Sequence, residues 1–322
     1  MQMSYADAIR QALIEEMERD ERVVLLGEDI ALYGGAFRVT RGLAQRFGAE
    51  RVINTPISEN SFVGVAVGAA MMGMRPVVEM MFMDFITLAM DQLVNHAAKL
   101  HYIYGGQVRV PLVVRAPAGA GRGYGASHSQ SLEAWFVHTP GLKVVAPATP
   151  RDARGLLKAA IRDDNPVVFV ENKLLYGTKG EVPEAEEVLP LGQAAVVREG
   201  EDVTLIAYSR MTALALETAE RLEGQGINCE VLDLRTLSPL DEAAVLASVG
   251  KTARAVIVEE DTLRGGVGAE VAAIIADKGF RSLDSPLRRV ACADAPIPCS
   301  PSLEQAILPS VEKIMQAVES LI

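Results

Sequence analysis

The sequence predicts an α/β fold of two domains, and three observations carry that reading. Short continuous apolar runs alternate with amphipathic stretches, the alternation halts at one acid- and proline-rich segment, and it restarts beyond it. The chain has 322 residues, 49% hydrophobic and 23% charged, an ordinary globular composition at a length that suits two domains.

Tyr5 to Asp20 repeats apolar residues at Ala6, Ile9, Leu13 and Met17, which puts them on one face of a helix. Arg22-Val-Val-Leu-Leu-Gly-Glu-Asp follows, a run expected of a buried parallel strand that opens at its C-terminal end into a loop. Ligands of open parallel sheets collect at such ends. After the Gly34-Gly35 loop come a strand at Val52-Ile-Asn, a small-residue helix from Asn60 to Met74, and a strand from Pro76 to Met81. Further on, Val110 to Arg115 reads as a strand, Arg151 to Asp163 as a helix, and Pro166 to Glu171 as a strand. Residues 178–190 lose the apolar period and carry two prolines among acids, so the linker is placed there. The predicted domains are 1–185 and 190–322. In the second, strands at Val203–Ala207, Cys229–Asp233 and Ala255–Glu259 alternate with helices at Thr212–Glu223 and Asp241–Val249.

A formal net charge of -11, with no long run of Lys or Arg, argues against nucleic acid as a partner. The longest uncharged stretch, Phe62 to Met74, falls short of the roughly 18 apolar residues of a spanning helix and is interrupted by Gly64, Gly68 and Gly73. No membrane segment is expected. The N-terminus has neither the apolar core of a signal peptide nor the Arg-rich character of a transit peptide, which makes the cytoplasm the expected compartment. Cys229, Cys292 and Cys299 are odd in number and lack metal-ligand spacing, as expected of reduced thiols.

Several segments place polar groups where chemistry could use them. Glu59 follows a Ser between a strand end and a helix start, a position that ordinary first-turn electrostatics would also explain. Phe85 follows the strand through Met81, where core packing is the alternative to a ligand contact. His128 sits in a loop of small residues, Gly-Tyr-Gly-Ala-Ser-His-Ser-Gln-Ser, open to a functional or a solvated role. The helix ending near Asp163 and Asn165 offers carbonyl oxygens to a hard cation, or simply stops before Pro166. Leu263-Arg-Gly-Gly-Val-Gly-Ala-Glu lacks the full dinucleotide fingerprint and reads as a tight strand-to-helix turn.

Glu28 in Leu-Gly-Glu-Asp, Thr55-Pro-Ile-Ser-Glu, Met83-Asp-Phe, Ala126-Ser-His-Ser-Gln-Ser, His138-Thr-Pro-Gly-Leu-Lys-Val-Val and Arg162-Asp-Asp-Asn-Pro-Val together resemble the beta subunits of thiamine-diphosphate-dependent 2-oxo acid dehydrogenase components, in order along the whole chain. Gln130-Ser-Leu-Glu-Ala-Trp-Phe is most similar to the acetoin and bacterial pyruvate dehydrogenase branch. The resemblance implies a pyrimidine-binding transketolase-like domain followed by a smaller transketolase C-terminal-like domain. It implies that Glu59 holds the cofactor's aminopyrimidine in its reactive tautomer, that Phe85 stacks on that ring, and that His128 faces the substrate and lipoyl group. The family's acids lining a tunnel between the two active sites are proposed to carry protons, and Glu28 matches one such position; for Glu28 and Asp91 alike, a solvated loop acid is the alternative.

The same resemblance implies a structural potassium at the backbone of Leu112, Ala160, Ile161 and Asp163 with Asn165, and docking of the acyltransferase's peripheral-subunit-binding domain by Asp284 and the Ile322 carboxylate. Magnesium and the diphosphate are expected on an alpha subunit, because the chain lacks the Gly-Asp-Gly to Asn pattern. An alpha2-beta2 heterotetramer follows, acting on pyruvate, a related 2-oxo acid or acetoin. The rival readings are a self-sufficient transketolase and a non-catalytic scaffold with a vestigial site.

Overall fold

The computed structural model describes all residues 1–322, which divide into two compact units. The first comprises Met1–Ala118 and Trp135–Leu191, the second Gly119–Ala134 and Gly192–Ile322.

In the first unit, β1 (Gln2–Ser4) leads into α1 (Tyr5–Arg19), whose N-terminal amide at Asp7 donates to the Ser4 hydroxyl. Then come β2 (Val23–Gly27), α2 (Leu43–Phe47), β3 (Val52–Asn54), α3 (Glu59–Met71) and β4 (Arg75–Glu79). A 3₁₀ turn (Met83–Ala89) and a π-helical turn (Asp91–Ala97) precede α4 (Ala98–Ile103). The unit closes with β5 (Val113–Ala118), the short α5 (Glu133–Val137), β6 (Lys143–Val145), α6 (Pro150–Arg162), β7 (Val167–Asn172) and β8 (Lys179–Glu181). The strands pair in parallel in the order β6-β7-β5-β4-β2-β3. Tyr5, Ile9, Leu13 and Met17 of α1 pack with Leu156, Leu157 and Ile161 of α6 over Val23, Leu25 and Val113, so the one-sided helices cover one face of a sheet that is apolar on both.

The second unit holds β9 (Ala195–Arg198), β10 (Val203–Ala207), α7 (Arg210–Glu223), β11 (Cys229–Asp233), β12 (Thr236–Ser238), α8 (Glu242–Thr252), β13 (Ala255–Thr262), α9 (Val267–Lys278), β14 (Arg288–Cys292), α10 (Pro301–Ile307) and α11 (Val311–Glu319). Its sheet runs β14-β13-β10-β11-β9, parallel except for β9, which pairs antiparallel with β11. Val203, Leu205, Val256 and Val258 pack against Met211, Ala215 and Leu222 of α7 and against Ile314 and Val318 of α11.

Several element ends differ from the sequence expectation, and three of the differences have a visible cause. The strand expected from Val110 begins at Val113, because Leu112 N–H donates back to the Val110 carbonyl and holds a turn there. α3 stops at Met71, since Gly73 adopts a left-handed φ of 95° that no helix continues through. The segment assigned to the linker contains β8, which pairs antiparallel with β1 from Gln2↔Glu181 to Ser4↔Lys179.

Candidate active site

The C-terminal ends of β2 and β3 lie side by side, Gly27 in register with Asn54. The Thr55 amide donates to the Gly27 carbonyl at 3.0 Å, so the loop into α3 turns back across the end of β2. That geometry brings Glu28 and Glu59, distant in sequence, to one place: 6% and 7% exposed respectively. Burial raises the Glu28 carboxyl to about 7, with the neighbouring charges of Glu59 and Asp29 adding to the effect. Glu28 Oε1 and the Thr55 hydroxyl are buried without a hydrogen-bond partner, polar groups that are costly unless something binds there. Next to Glu28, Asp29 adopts a left-handed φ of 56°, which turns the chain at the end of β2.

Phe85 lies in the 3₁₀ turn beyond β4, half-buried. Its ring meets Phe82 edge-on at 5.9 Å, Phe82 meets Phe37 at 5.6 Å, and Phe37 stacks on Tyr176 at 5.0 Å. This aromatic chain gives Phe85 a rigid support. Asp91 is exposed and accepts from the Asn95 amide at 2.8 Å.

Behind the strand ends sits an ionic cluster that the sequence reading missed. Fully buried Arg115 donates to Glu79 at 2.6 Å and to both oxygens of Glu171 at 2.6 and 2.9 Å, and Tyr176 donates to Glu171 at 2.7 Å. Burial raises the Glu79 carboxyl despite the guanidinium beside it. A signal existed, since charges interrupt the apolar runs Val77-Val-Glu, Val113-Val-Arg and Phe169-Val-Glu.

At the end of α6, Ile161 and Asp163 carbonyls converge on one nitrogen of Arg75, each at 3.0 Å. Leu112 O accepts from Val167 N–H at 2.8 Å and Ala160 O from Asp163 N–H at 3.3 Å. The Asp163 carboxylate takes Asn165 N–H at 2.8 Å, the Asn165 amide at 2.9 Å, and Lys143. The donor set is all oxygen, and each carbonyl retains a second lone pair, so the chemistry fits a hard monovalent cation. Arg75 already brings one positive charge to it.

His128 belongs to the second unit, in the loop Gly119–Ala134, half-buried with Nδ1 3.0 Å from the Ser127 hydroxyl. The same unit gathers Glu133, Glu259, Glu260 and Asp261, all buried. Burial raises Glu259 to about 7 and Asp261 to about 6; Glu133 is pushed well above the carboxylate range by burial, then by Asp261. Asp284 is exposed and Ile322 is 64% exposed, both in this unit.

A doubly wound sheet with paired acids at its strand ends, joined to a second, mainly parallel α/β unit, defines a transketolase-type chain. Residues 1–179 match the family described as the transketolase pyrimidine binding domain, and residues 192–314 the transketolase C-terminal domain. The chain is 48% identical over 321 residues to the pyruvate dehydrogenase E1 component subunit beta of Rickettsia felis, covering 100% of this chain and 98% of that protein. It is 49% identical over 321 residues to the 2-oxoisovalerate dehydrogenase subunit beta of Bacillus subtilis, covering 99% and 98%. A solved structure titled split gene transketolase, inactive beta4 tetramer, superposes with a TM-score of 0.83 at 26% identity, covering 99% of this chain and 98% of that one. The chain belongs to the beta subunits of thiamine-diphosphate-dependent 2-oxo acid dehydrogenase components.

Proposed function

We propose that this chain, with an alpha subunit, decarboxylates a 2-oxo acid, pyruvate first and acetoin as the alternative donor, and passes the acyl group to a lipoyl-bearing acyltransferase. The observation that carries the reading is the buried Glu28–Glu59 pair at the ends of β2 and β3, with a carboxyl oxygen awaiting a partner. When bound, thiamine diphosphate supplies the nucleophilic carbon that such a decarboxylation requires.

The protein's part is orientation and proton handling. Glu59, at the start of α3, would share a proton between its carboxyl group and a pyrimidine ring nitrogen, the carboxyl donating, and so set the ring's tautomer. Glu28, which holds a proton about half the time near neutrality, would accept or return one. Phe85, braced by Phe82, would present a flat face for the ring. His128 would donate to a substrate carboxylate or to the acyl acceptor.

Magnesium and the diphosphate fall to the alpha subunit in this reading. α3 supports a partner, because Ser61, Val65, Gly68 and Met72 leave one side of it exposed and nothing lies within 4 Å of a side chain added at Gly68. Gly64, by contrast, is spent inside the chain against Gln92. An alpha2-beta2 assembly fits this division of labour. Potassium would share the carbonyls of Leu112, Ala160, Ile161 and Asp163, and Asn165, with Arg75. Exposed Asp284 and Ile322 are assigned to the acyltransferase's subunit-binding domain, and the cytoplasm to the assembly. No helix is long and apolar enough to cross a membrane.

The test is a panel of pyruvate, branched 2-oxo acids and acetoin on the alpha-beta enzyme, with lipoyl acceptor. Turnover of one of these is expected; failure of all, with cofactor bound, would leave the scaffold reading.

A further inference from the structure

The loop that carries His128 has glycine at every second position from Gly119 to Gly125, and all four adopt left-handed φ angles: 92° at Gly119, 95° at Gly121, 68° at Gly123 and 75° at Gly125. The turns made at these glycines leave the amides of Ala120, Gly121 and Gly123 free to bind anionic groups, as backbone N–H clusters do. The anion here is internal. Gly121 N–H donates to Glu304 Oε1 at 2.8 Å and Gly123 N–H to Glu304 Oε2 at 3.1 Å, while Ala120 N–H donates to Glu260 Oε1 at 2.6 Å. Glu304, on α10, is 3% exposed, so its carboxyl end of both bonds is buried.

Two further observations make this a fitted seat. Ala120 packs with Cys292 and Leu308, edged by Ile297 and Ile307. A Cβ on Gly125 would stand 2.4 Å from Cys299 Sγ, and one on Gly123 3.2 Å from the Cys299 carbonyl, so the segment before α10 fills the space the glycines leave. Beyond the glycines, His128 N–H donates to the Gly125 carbonyl at 3.3 Å, which ties the imidazole's backbone to the last of the four.

From this geometry we infer that Glu304 is a positioning residue: its carboxylate, gripped by the Gly121 and Gly123 amides and assisted by Glu260, fixes the loop that aims His128 at the reacting groups. The inference rests on the role proposed for His128. Glu304 touches neither substrate nor cofactor in this account, and its removal loosens the loop without removing a reacting group. Misplacement by about 1 Å suffices to lower turnover on the order of 100-fold.

The experiment uses the alpha-beta enzyme carrying Glu304→Ala, Glu304→Gln, His128→Ala, or Glu304→Ala with His128→Ala. Glu304→Ala is expected to lower kcat roughly 10- to 100-fold with the thiamine diphosphate dissociation constant unchanged. Glu304→Gln, which keeps one acceptor oxygen, should recover to within a few-fold of the parent. The double variant should be no slower than His128→Ala, because one loss acts through the other. Backbone amide exchange over residues 119–128 should quicken in Glu304→Ala. Multiplying losses in the double variant, or unchanged exchange in this segment, would overturn the inference. If His128→Ala alone keeps full activity, the role of His128 fails, while faster exchange in Glu304→Ala would still support the anchoring of the loop. Should Glu304→Ala not fold, Glu304→Leu, which fills the same space without an acceptor, takes its place, and unchanged exchange over residues 119–128 in that variant overturns the inference equally.

Discussion

Two carboxyl groups at one strand edge need not share a role, and the difference lies in their surroundings. Glu28 has a buried oxygen without a partner and is raised to about 7 by burial, while Glu59 is the first residue of α3 and is held by the helix. Replacing Glu59 by Gln is therefore expected to leave folding intact and to lower kcat by 100-fold or more, on the order of a lost general acid-base group. Steady-state kinetics at saturating cofactor checks this; near-native turnover would remove Glu59 from the mechanism. The buried acids also set a pH dependence of stability. Glu28 and Glu259 rise to about 7 and Asp261 to about 6, so the folded chain holds protons that the unfolded chain releases near pH 4 to 4.5. Their contribution is fully present below the unfolded values and is lost as pH climbs to about 7. Glu133, whose Oε2 has no partner, moves in the same direction. Glu133→Gln should flatten the decline of stability with rising pH, because the amide has no proton to lose. Denaturant titrations at a series of pH values measure it.

At the scale of the element, β4, β5 and β7 are held by charge as well as by apolar packing. Glu79 and Arg115 are register partners across β4 and β5, and Glu171 on β7 takes the other edge of the guanidinium. Arg115→Met would leave two carboxylates buried with no counter-charge between them, a loss of about 3–5 kcal/mol. A urea midpoint that barely moves would show the network to be dispensable. These strands were legible because their apolar runs are continuous, and α1 and α6 because their periods are strong. The short β8 was not, since Lys-Gly-Glu has no strand character and pairs only because β1 lies opposite. In the candidate site the residues were visible and their grouping was not. Glu28 and Glu59 meet because β2 and β3 are neighbours, a fact of topology that no local pattern carries. Glu304 gave no signal at all, because its partners are backbone amides far along the chain.

At the scale of the whole molecule, the proposed function gives the chain the pyrimidine-side groups and gives the diphosphate and its metal to a partner. Isolated, the chain is expected to bind thiamine diphosphate weakly even with magnesium present. Affinity should rise by at least 100-fold, about 2.7 kcal/mol, when the alpha subunit is added. Calorimetry before and after addition decides, and tight binding by this chain alone would defeat the shared-site account. The division of the chain bears on its manufacture as well. Gly119–Ala134 belongs to the second unit while the residues on either side of it belong to the first, so the path enters the second unit, leaves it and returns at Gly192. A ribosome delivers the glycine loop long before it delivers Glu260 and Glu304, the carboxylates that seat it. Domains fold as units, earliest first, during synthesis. Here the first unit must fold while a segment inserted in its sequence still lacks its own partners, and a gene cut at the linker yields two fragments, neither of which contains a finished second unit.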